Sequence, residues 1–128
     1  MTDYSVLMEK AKEASKNAYA PYSNFKVGAC VLAESGNMYT GCNFENSSYG
    51  LTICAERNAI GTAIVAGEHK ILAVAIYSPN RDNCYPCGAC RQVIHEFRSN
   101  NGTDVITEAD GNLICQKIER LLPEGFSI

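Results

Sequence analysis

The sequence predicts an α/β fold in a single domain, residues 1–128, with helices packed on one mixed β-sheet. Its 128 residues match one domain, which at this length buries roughly two-thirds of the surface that the unfolded chain exposes. Helix-like and strand-like patterns follow in the order helix, two strands, helix, strand, helix, two strands, which is typical of helices layered on a sheet. No internal repeat or linker divides the chain.

The N-terminal third predicts a helix followed by a hairpin. Apolar residues recur at helical spacing over residues 4–18, with Lys and Glu between them, which predicts an amphipathic helix. Residues 25–33 and 38–42 have the composition of strands. The segment between them, 34–37, reads Glu-Ser-Gly-Asn, which indicates the hairpin turn that joins the two strands.

The middle of the chain predicts a loop and a second helix. Residues 43–50 are polar and rich in turn formers, so we expect a loop. The helix then covers residues 52–66, with Thr52 as its N-cap and Gly67 just past its end.

The remaining elements alternate strand and helix. Residues 71–77 form a continuous apolar run, which predicts a central strand covered on both faces. Residues 78–86 predict a loop, and residues 88–98 a third helix. Two short strands and a last helical turn complete the prediction at residues 105–107, 113–115 and 118–122.

Charge and composition argue against several classes of function. The net charge is −3 and the isoelectric point is near 5.3, so the chain lacks the basic excess that a phosphate-binding surface needs. The first residues contain no apolar stretch of signal-peptide length, and no segment approaches the ~20 apolar residues of a membrane helix. We therefore expect a cytoplasmic protein without a nucleic-acid or membrane partner.

The chain contains seven cysteines, an odd and high number. Without a signal peptide, metal binding explains them better than a disulfide framework does. One site cannot use all seven, and Cys30, Cys42 and Cys115 in predicted strands are expected to be buried thiols of the core. His69 and His95 are expected to be ordinary surface or core residues.

Two short segments carry the chemistry, each at the start of a predicted helix. Cys87 and Cys90 have the two-residue spacing of paired zinc ligands, and Cys54 can supply a third. Three protein ligands leave one position for water, which marks a catalytic zinc site. Helix starts also favour thiolates electrostatically. Glu56 lies two residues after Cys54, close enough to exchange a proton with that water.

These segments match the signature of zinc-dependent nucleobase deaminases, which is His or Cys, any residue, Glu and, further on, Pro-Cys-x-x-Cys. Across nearly its whole length the chain resembles the cytidine deaminases of the homotetrameric, three-cysteine type. The resemblance is carried by residues 20–23, 25–28, 43–46, 52–57, 86–92 and 121–123 and by Phe126. It implies a five-stranded mixed sheet with helices on both faces.

The resemblance implies a catalytic centre with one Zn²⁺ per chain, bound by Cys54, Cys87 and Cys90. The zinc would activate water for attack on C4 of cytosine, and Glu56 would carry protons to N3 and to the departing ammonia. Three thiolates around Zn²⁺ leave a charge of −1. We expect Arg57 to offset it by hydrogen bonding to a thiolate sulfur.

The resemblance also implies how a free pyrimidine nucleoside is bound. Asn43 and Glu45 would hold the ribose hydroxyls, Phe25 would pack on the base, and the backbone of Ala55 would bind the pyrimidine. Phe126 would close the site of a neighbouring subunit, because the family members it resembles are homotetramers with active sites near their subunit interfaces.

The resulting hypothesis is deamination of cytidine and deoxycytidine in pyrimidine salvage, and two alternatives stay open. Deaminases of aminonucleoside antibiotics such as blasticidin S share the zinc motifs, although Asn43 and Glu45 favour a free ribose. In a second alternative, Cys84 joins the other cysteines in a structural zinc site of a non-catalytic interaction protein. Cys84 also departs from the family pattern.

Overall fold

Five strands form one mixed sheet in the computed structural model, which describes residues 3–128. In chain order they are β1 (Gly28–Ala33), β2 (Met38–Cys42), β3 (Ile71–Tyr77), β4 (Asp104–Ala109) and β5 (Asn112–Lys117). Their order across the sheet is β2-β1-β3-β4-β5. All neighbours are antiparallel except β3 and β4, which are parallel. The predicted five-stranded mixed sheet is confirmed.

Strand β3 lies at the centre of the sheet, as its continuous apolar sequence predicts. Val74 in its middle pairs with Val31 of β1 on one side and with Val105 of β4 on the other. All three side chains are fully buried. A parallel partner requires a crossover connection, and the segment between β3 and β4 contains a helix that provides it.

Helices cover both faces of the sheet. They are α1 (Ser5–Ser15), α2 (Ala55–Val65), α3 (Gly88–Glu96) and α4 (Ile118–Leu121). Helix α1 packs alone on one face, where its buried side chains meet Cys30, Ala75 and Ile106. The other three helices share the opposite face, with Ile60, Ile94 and Ile118 in one cluster. Within residues 3–128, no helix is both long and apolar enough to cross a membrane.

Two glycines let helices lie directly on the strands. A Cβ atom at Gly28 would lie 2.0 Å from the carbonyl oxygen of Ala11 in α1. One at Gly41 would lie 2.5 Å from the backbone nitrogen of Ala59 in α2. Real Cβ atoms do not approach other atoms so closely. Helix α2 can therefore lie this close to β2 only because residue 41 is a glycine. This contact fixes the helix whose first residues form the site described below.

Strand β1 begins three residues later than predicted. The backbone N–H of Val27 donates to Oδ1 of Asn43 over 2.9 Å, and Asn43 Nδ2 donates to the carbonyl oxygen of Phe25 over 2.8 Å. The backbone N–H of Val27 and the carbonyl oxygen of Phe25 therefore bond to the Asn43 side chain and not to a neighbouring strand. Periodicity in the sequence carries no sign of this exchange.

The predicted N-cap of the second helix is wrong. Helix α2 begins at Ala55, and its N-cap residue is Cys54, with φ −74° and ψ 155°. The hydroxyl of Thr52 accepts instead from the backbone N–H of Asn46 over 3.3 Å, within the preceding loop. Gly67 does follow the end of α2 with a φ of 94°, as predicted.

Helix α1 is shorter than the predicted residues 4–18. Leu7 and Ala11 are buried, as the helical spacing of apolar residues predicts, but Val6 is 49% exposed. The third helix likewise ends at Glu96 instead of residue 98. The ends of a helix and the choice of its buried side chains depend on tertiary contacts, which the periodicity of apolar residues does not describe.

All seven cysteines are free thiols, and the three in strands have different environments. Cys30 is fully buried in the core, as predicted. Cys42 is half-buried, and Cys115 is exposed, so the prediction of a core position for Cys115 is wrong. Cys115 lies on β5, an edge strand that is mostly exposed along its length.

Candidate active site

Two helix starts meet at one place on the face covered by α2, α3 and α4. Cys54 is the N-cap of α2 and Cys87 the N-cap of α3, both with extended backbone. Their carbonyl oxygens accept the first helical hydrogen bonds, from Asn58 over 3.0 Å and from Arg91 over 2.9 Å. Cys90 follows in the first turn of α3. The positive ends of both helix dipoles therefore face the three thiols.

The three thiols form a group that fits a zinc ion. The Sγ atoms of Cys54, Cys87 and Cys90 all lie within 4.8 Å of one another. Tetrahedral zinc with bonds of about 2.3 Å to sulfur requires such spacing, and thiolates are ligands that zinc prefers. In the described part of the chain, this is the group of His, Cys, Asp and Glu that could hold a metal, and neither Cys84 nor His95 belongs to it. The four-cysteine arrangement is therefore not formed.

An arginine beside Cys54 favours the charged form of this thiol. Hydrogen bonding from Cys90 and then from Arg57 lowers the pKa of Cys54 to about 5, although burial opposes it. Arg57 Nη2 lies 3.4 Å from Cys54 Sγ. The same contact raises the pKa of the guanidinium, and its Nε is buried without a hydrogen-bond partner among the described residues. The guanidinium is thus placed to offset negative charge on Cys54.

Glu56 places a nearly buried carboxyl beside the thiols, in the first turn of α2. Glu56 is only 5% exposed, and this burial raises its pKa to about 7. A carboxyl that titrates near neutrality can both accept and release a proton during a reaction. This property is typical of catalytic acids and bases.

A cavity of about 220 Å³ opens beside the thiols and Glu56. Its lining residues are Ser23, Phe25, Val27, Asn43, Glu45, Thr52, Cys54, Ala55, Glu56, Cys84, Tyr85 and Cys87. The cavity thus combines two thiols and a carboxyl, from Cys54, Cys87 and Glu56, with the carboxylate of Glu45 and the amide of Asn43. All the sequence-predicted site residues except Cys90, Arg57 and Phe126 line it.

Glu45 is held as a charged group in the cavity wall. Its Oε1 accepts from the backbone N–H groups of Tyr22 over 2.9 Å and Ser23 over 3.1 Å, and its Oε2 accepts from the Ser23 hydroxyl. The hydroxyl bond, with the two backbone bonds, lowers the pKa of Glu45. The loop of residues 20–23 therefore orients this carboxylate.

Asn43 has a structural task that the sequence did not reveal. Its residue is 8% exposed, and its amide bridges the backbone of Phe25 and Val27. The bridge holds Phe25 in the cavity wall. One amide N–H of Asn43 donates to Phe25, which leaves its second N–H for another partner.

Phe126 does not line this cavity. It is 69% exposed, and its backbone oxygen accepts from Gln92 Nε2 over 3.0 Å on the outside of α3. Gly125 packs on the ring of His95, where a Cβ atom would lie 2.7 Å from Cε1.

Ser23, Val27, Thr52, Cys84 and Tyr85 line the cavity although the sequence did not single them out for it. Among these, Ser23, Val27 and Thr52 fall in the segments that carry the resemblance.

Comparison with known proteins agrees with this geometry. The family model for the cytidine and deoxycytidylate deaminase zinc-binding region matches residues 1–103. The cytidine deaminase of Sporosarcina psychrophila is 42% identical over 125 residues, which covers 98% of this chain and 92% of that protein. The one from Mycobacterium tuberculosis strain H37Rv is 37% identical over 126 residues, covering 98% and 91%.

Solved structures of similar proteins have the same fold. The crystal structure of cytidine deaminase from Burkholderia pseudomallei has a TM-score of 0.89 and 42% identity, and the match covers 98% of this chain and all of that one (100%). Cytidine deaminase from Mycobacterium tuberculosis has a TM-score of 0.86 and 35% identity, with 100% of both chains covered. With the thiol group and Glu56 in one cavity, these matches show that the chain belongs to the zinc-binding cytidine and deoxycytidylate deaminase family.

Proposed function

We propose that this protein hydrolyses the exocyclic amine of cytidine and deoxycytidine, giving uridine or deoxyuridine and ammonia. The observation that carries the proposal is that a nearly buried carboxyl, Glu56, lines the same cavity as Cys54 and Cys87 of the three-thiol group. Bound by Cys54, Cys87 and Cys90, zinc would lower the pKa of a water molecule towards neutrality and so supply hydroxide, which is a good nucleophile. The relatives named above are cytidine deaminases.

Glu56 moves the protons of the reaction. Its carboxylate accepts a proton from the water as oxygen bonds to C4 of the base, and it passes this proton to N3. It then takes the remaining proton and delivers it to the amino group, which leaves as ammonia when the C4–N bond breaks. A pKa of about 7 suits both directions of transfer. The sum is one water consumed and one ammonia released.

Arg57 adjusts the charge of the site. Three thiolates around Zn²⁺ would carry a net charge of −1, which would weaken the metal as a Lewis acid. The guanidinium donates from Nη2 to Cys54 over 3.4 Å and so withdraws charge from the ligand sulfur. Arg57 is thus a positioning residue that acts through Cys54.

The side chains of Glu45 and Asn43 bind the sugar. The Glu45 carboxylate accepts a hydrogen bond from a ribose hydroxyl, and the second amide N–H of Asn43 donates to one. Phe25 packs on the base, and the backbone N–H of Ala55 at the start of α2 binds the pyrimidine carbonyl. The residues that line the cavity include no Lys or Arg, which supports a free nucleoside over a nucleotide.

The protein works as a homotetramer in the cytoplasm, in pyrimidine salvage. Several large apolar side chains are exposed close in sequence to the cavity-lining residues Ser23, Glu45 and Thr52, which supports burial against other subunits there; they are Tyr22, Phe44, Tyr49 and Leu51. Phe126, also exposed, reaches a neighbouring subunit's site in this assembly. Light scattering that gave a monomer mass at assay concentrations would contradict the tetramer.

The experiment that tests the function is ultraviolet-monitored turnover of cytidine by the wild type beside Glu56→Gln, with zinc per chain measured in both. We expect about one zinc in each protein and a loss of at least 10³-fold in kcat in the variant. Glu9→Gln, an exposed residue of α1, is the matched control and should retain activity. Turnover of a blasticidin S-type antibiotic but not of cytidine would reassign the substrate.

A further inference from the structure

Cys84 lines the substrate cavity without a role in the proposed reaction. It shares the cavity with Cys54, Glu56 and Cys87. Burial, and after it the nearby charge of Glu56, raises the pKa of its thiol, so Cys84 and Glu56 are neighbours in the cavity wall. Ser23 and Glu45 also line a separate cavity with Tyr22 and Tyr49, which Cys84 does not line, so they belong to a different part of the substrate cavity wall. Cys84 is therefore positioned to meet the base and not the sugar.

The backbone around Cys84 is held on both sides. Asn83 adopts a left-handed conformation with φ 50°, and its N–H donates to the carbonyl oxygen of Glu108 over 3.0 Å. The hydroxyl of Thr107, which is fully buried, donates to Asn83 Oδ1 over 2.9 Å. The N–H of Tyr85 closes on the Asn83 carbonyl over 2.9 Å. Strand β4 thus anchors this loop and limits movement of the Cys84 side chain away from the cavity.

A second cavity, of about 270 Å³, lies on the far side of this wall. Phe25, Cys84 and Tyr85 line both cavities, so these three side chains form the partition between them. Cys84 is the smallest of the three. Shortening it would open the substrate cavity towards the second one, and enlarging it would narrow the substrate cavity.

The orientation of the base follows from the proposed function, on which this inference rests. C4 must face the thiol group, N3 must face Glu56, and the carbonyl at C2 faces the Ala55 backbone. N1 carries the sugar, towards Glu45. The edge that remains is C5–C6, and the wall that remains beside the thiol group is the partition. We propose that Cys84 contacts this edge and sets the largest group that the enzyme accepts at C5 of the pyrimidine.

The test compares kcat/KM for 5-methylcytidine and cytidine in the wild type, Cys84→Ala and Cys84→Val. One methyl group in a fixed pocket changes kcat/KM by roughly 10- to 200-fold. We expect the ratio of 5-methylcytidine to cytidine to rise about 10-fold in Cys84→Ala and to fall about 10-fold in Cys84→Val. Cys115→Ala, a matched exposed thiol on β5, should leave the ratio unchanged.

Binding of the products gives a readout independent of turnover. Inhibition constants of uridine and 5-methyluridine should change in the same directions, with zinc per chain unchanged. If Cys84→Val loses its zinc, Cys84→Ala alone decides. Ratios within about twofold of wild type in an active, zinc-loaded Cys84→Ala would overturn this inference and leave the proposed function intact. A wild type inactive on cytidine would overturn both.

Discussion

Cysteines on the two faces of the sheet have different roles. Under α1, Cys30 is a core thiol, and burial raises its pKa to about 11. Under α2 and α3, Cys54 is half-buried, yet hydrogen bonds from Cys90 and Arg57 lower its pKa to about 5. A thiol becomes a metal ligand here because it caps a helix beside other thiols and a guanidinium. The residue type alone does not decide its role.

Removing a ligand thiol should have the largest effect and separate the two faces completely. We expect Cys87→Ala to weaken zinc binding by more than about 100-fold, since even partners of ligands change affinity by 10- to 100-fold. Turnover should be lost with the zinc. Cys30→Ala should keep both, at a cost of about 1 kcal/mol in stability. Competition with a chromogenic chelator measures the affinities, and equal affinities for the two variants would refute the distinction.

A core substitution under α1 should have the opposite pattern. Leu7 is 1% exposed and packs in the cluster that contains Cys30. Leu7→Ala should lower the free energy of unfolding by about 2–5 kcal/mol through lost contacts and a cavity. Urea denaturation measures this loss. The fraction that remains folded should keep its zinc and its kcat, and a defect in either would show that the two faces are coupled.

Arg57→Ala should affect catalysis while leaving the metal in place. Without the guanidinium, the thiolate charge on zinc is no longer balanced, and we expect kcat to fall about 10- to 100-fold. Arg57→Lys keeps the charge but not the planar fork and should recover only part of the loss. Zinc analysis accompanies the kinetics. Unchanged kcat at normal zinc content would remove Arg57 from the account.

The smallest effect is expected on the α1 face, at Asp104. Burial would raise the pKa of Asp104, but hydrogen bonds from Lys117 over 2.8 Å and Tyr4 over 2.5 Å hold it below its ordinary value. A carboxyl with a lowered folded-state pKa stabilises the fold above its unfolded pKa, about 3.9, and this contribution fades as the pH falls below that value.

Asp104→Asn should therefore lower stability at pH 6 by less than about 1 kcal/mol, because such partly exposed ion pairs are weak. The difference from the wild type should shrink towards pH 3. Urea midpoints at both pH values measure it. A difference that grew on acidification would mean that the lowered pKa is wrong. Turnover at neutral pH should not change, since Asp104 lies across the sheet from the site.

The sequence predicted well those features that local pattern determines. The apolar run 71–77 is the central strand, and Gly36 lies in the hairpin turn with a φ of 94°. Cys54, Cys87 and Cys90 meet, because two helix starts bring them to one point. Such features depend on the spacing of a few residues along the chain, and spacing is visible in sequence.

The failures concern groups whose partners are distant in sequence. The side chain of Asn43 replaces a strand partner for residues 25–27, which delays the start of β1. Cys115 looked like a core thiol, but β5 is an edge strand. The role of Cys84 as a partition depends on anchoring by Thr107 and Glu108, more than 20 residues away. Each depends on tertiary contacts that periodicity does not encode.

X-ray absorption at the zinc edge of the wild-type protein tests the central claim most directly, since it counts the ligands. The account predicts one zinc per chain with three sulfur neighbours at about 2.3 Å and one oxygen or nitrogen neighbour at about 2.0 Å. That coordination leaves a position for water beside Glu56. Four sulfur neighbours, with Cys84 as the fourth, would contradict the account and indicate a closed structural site.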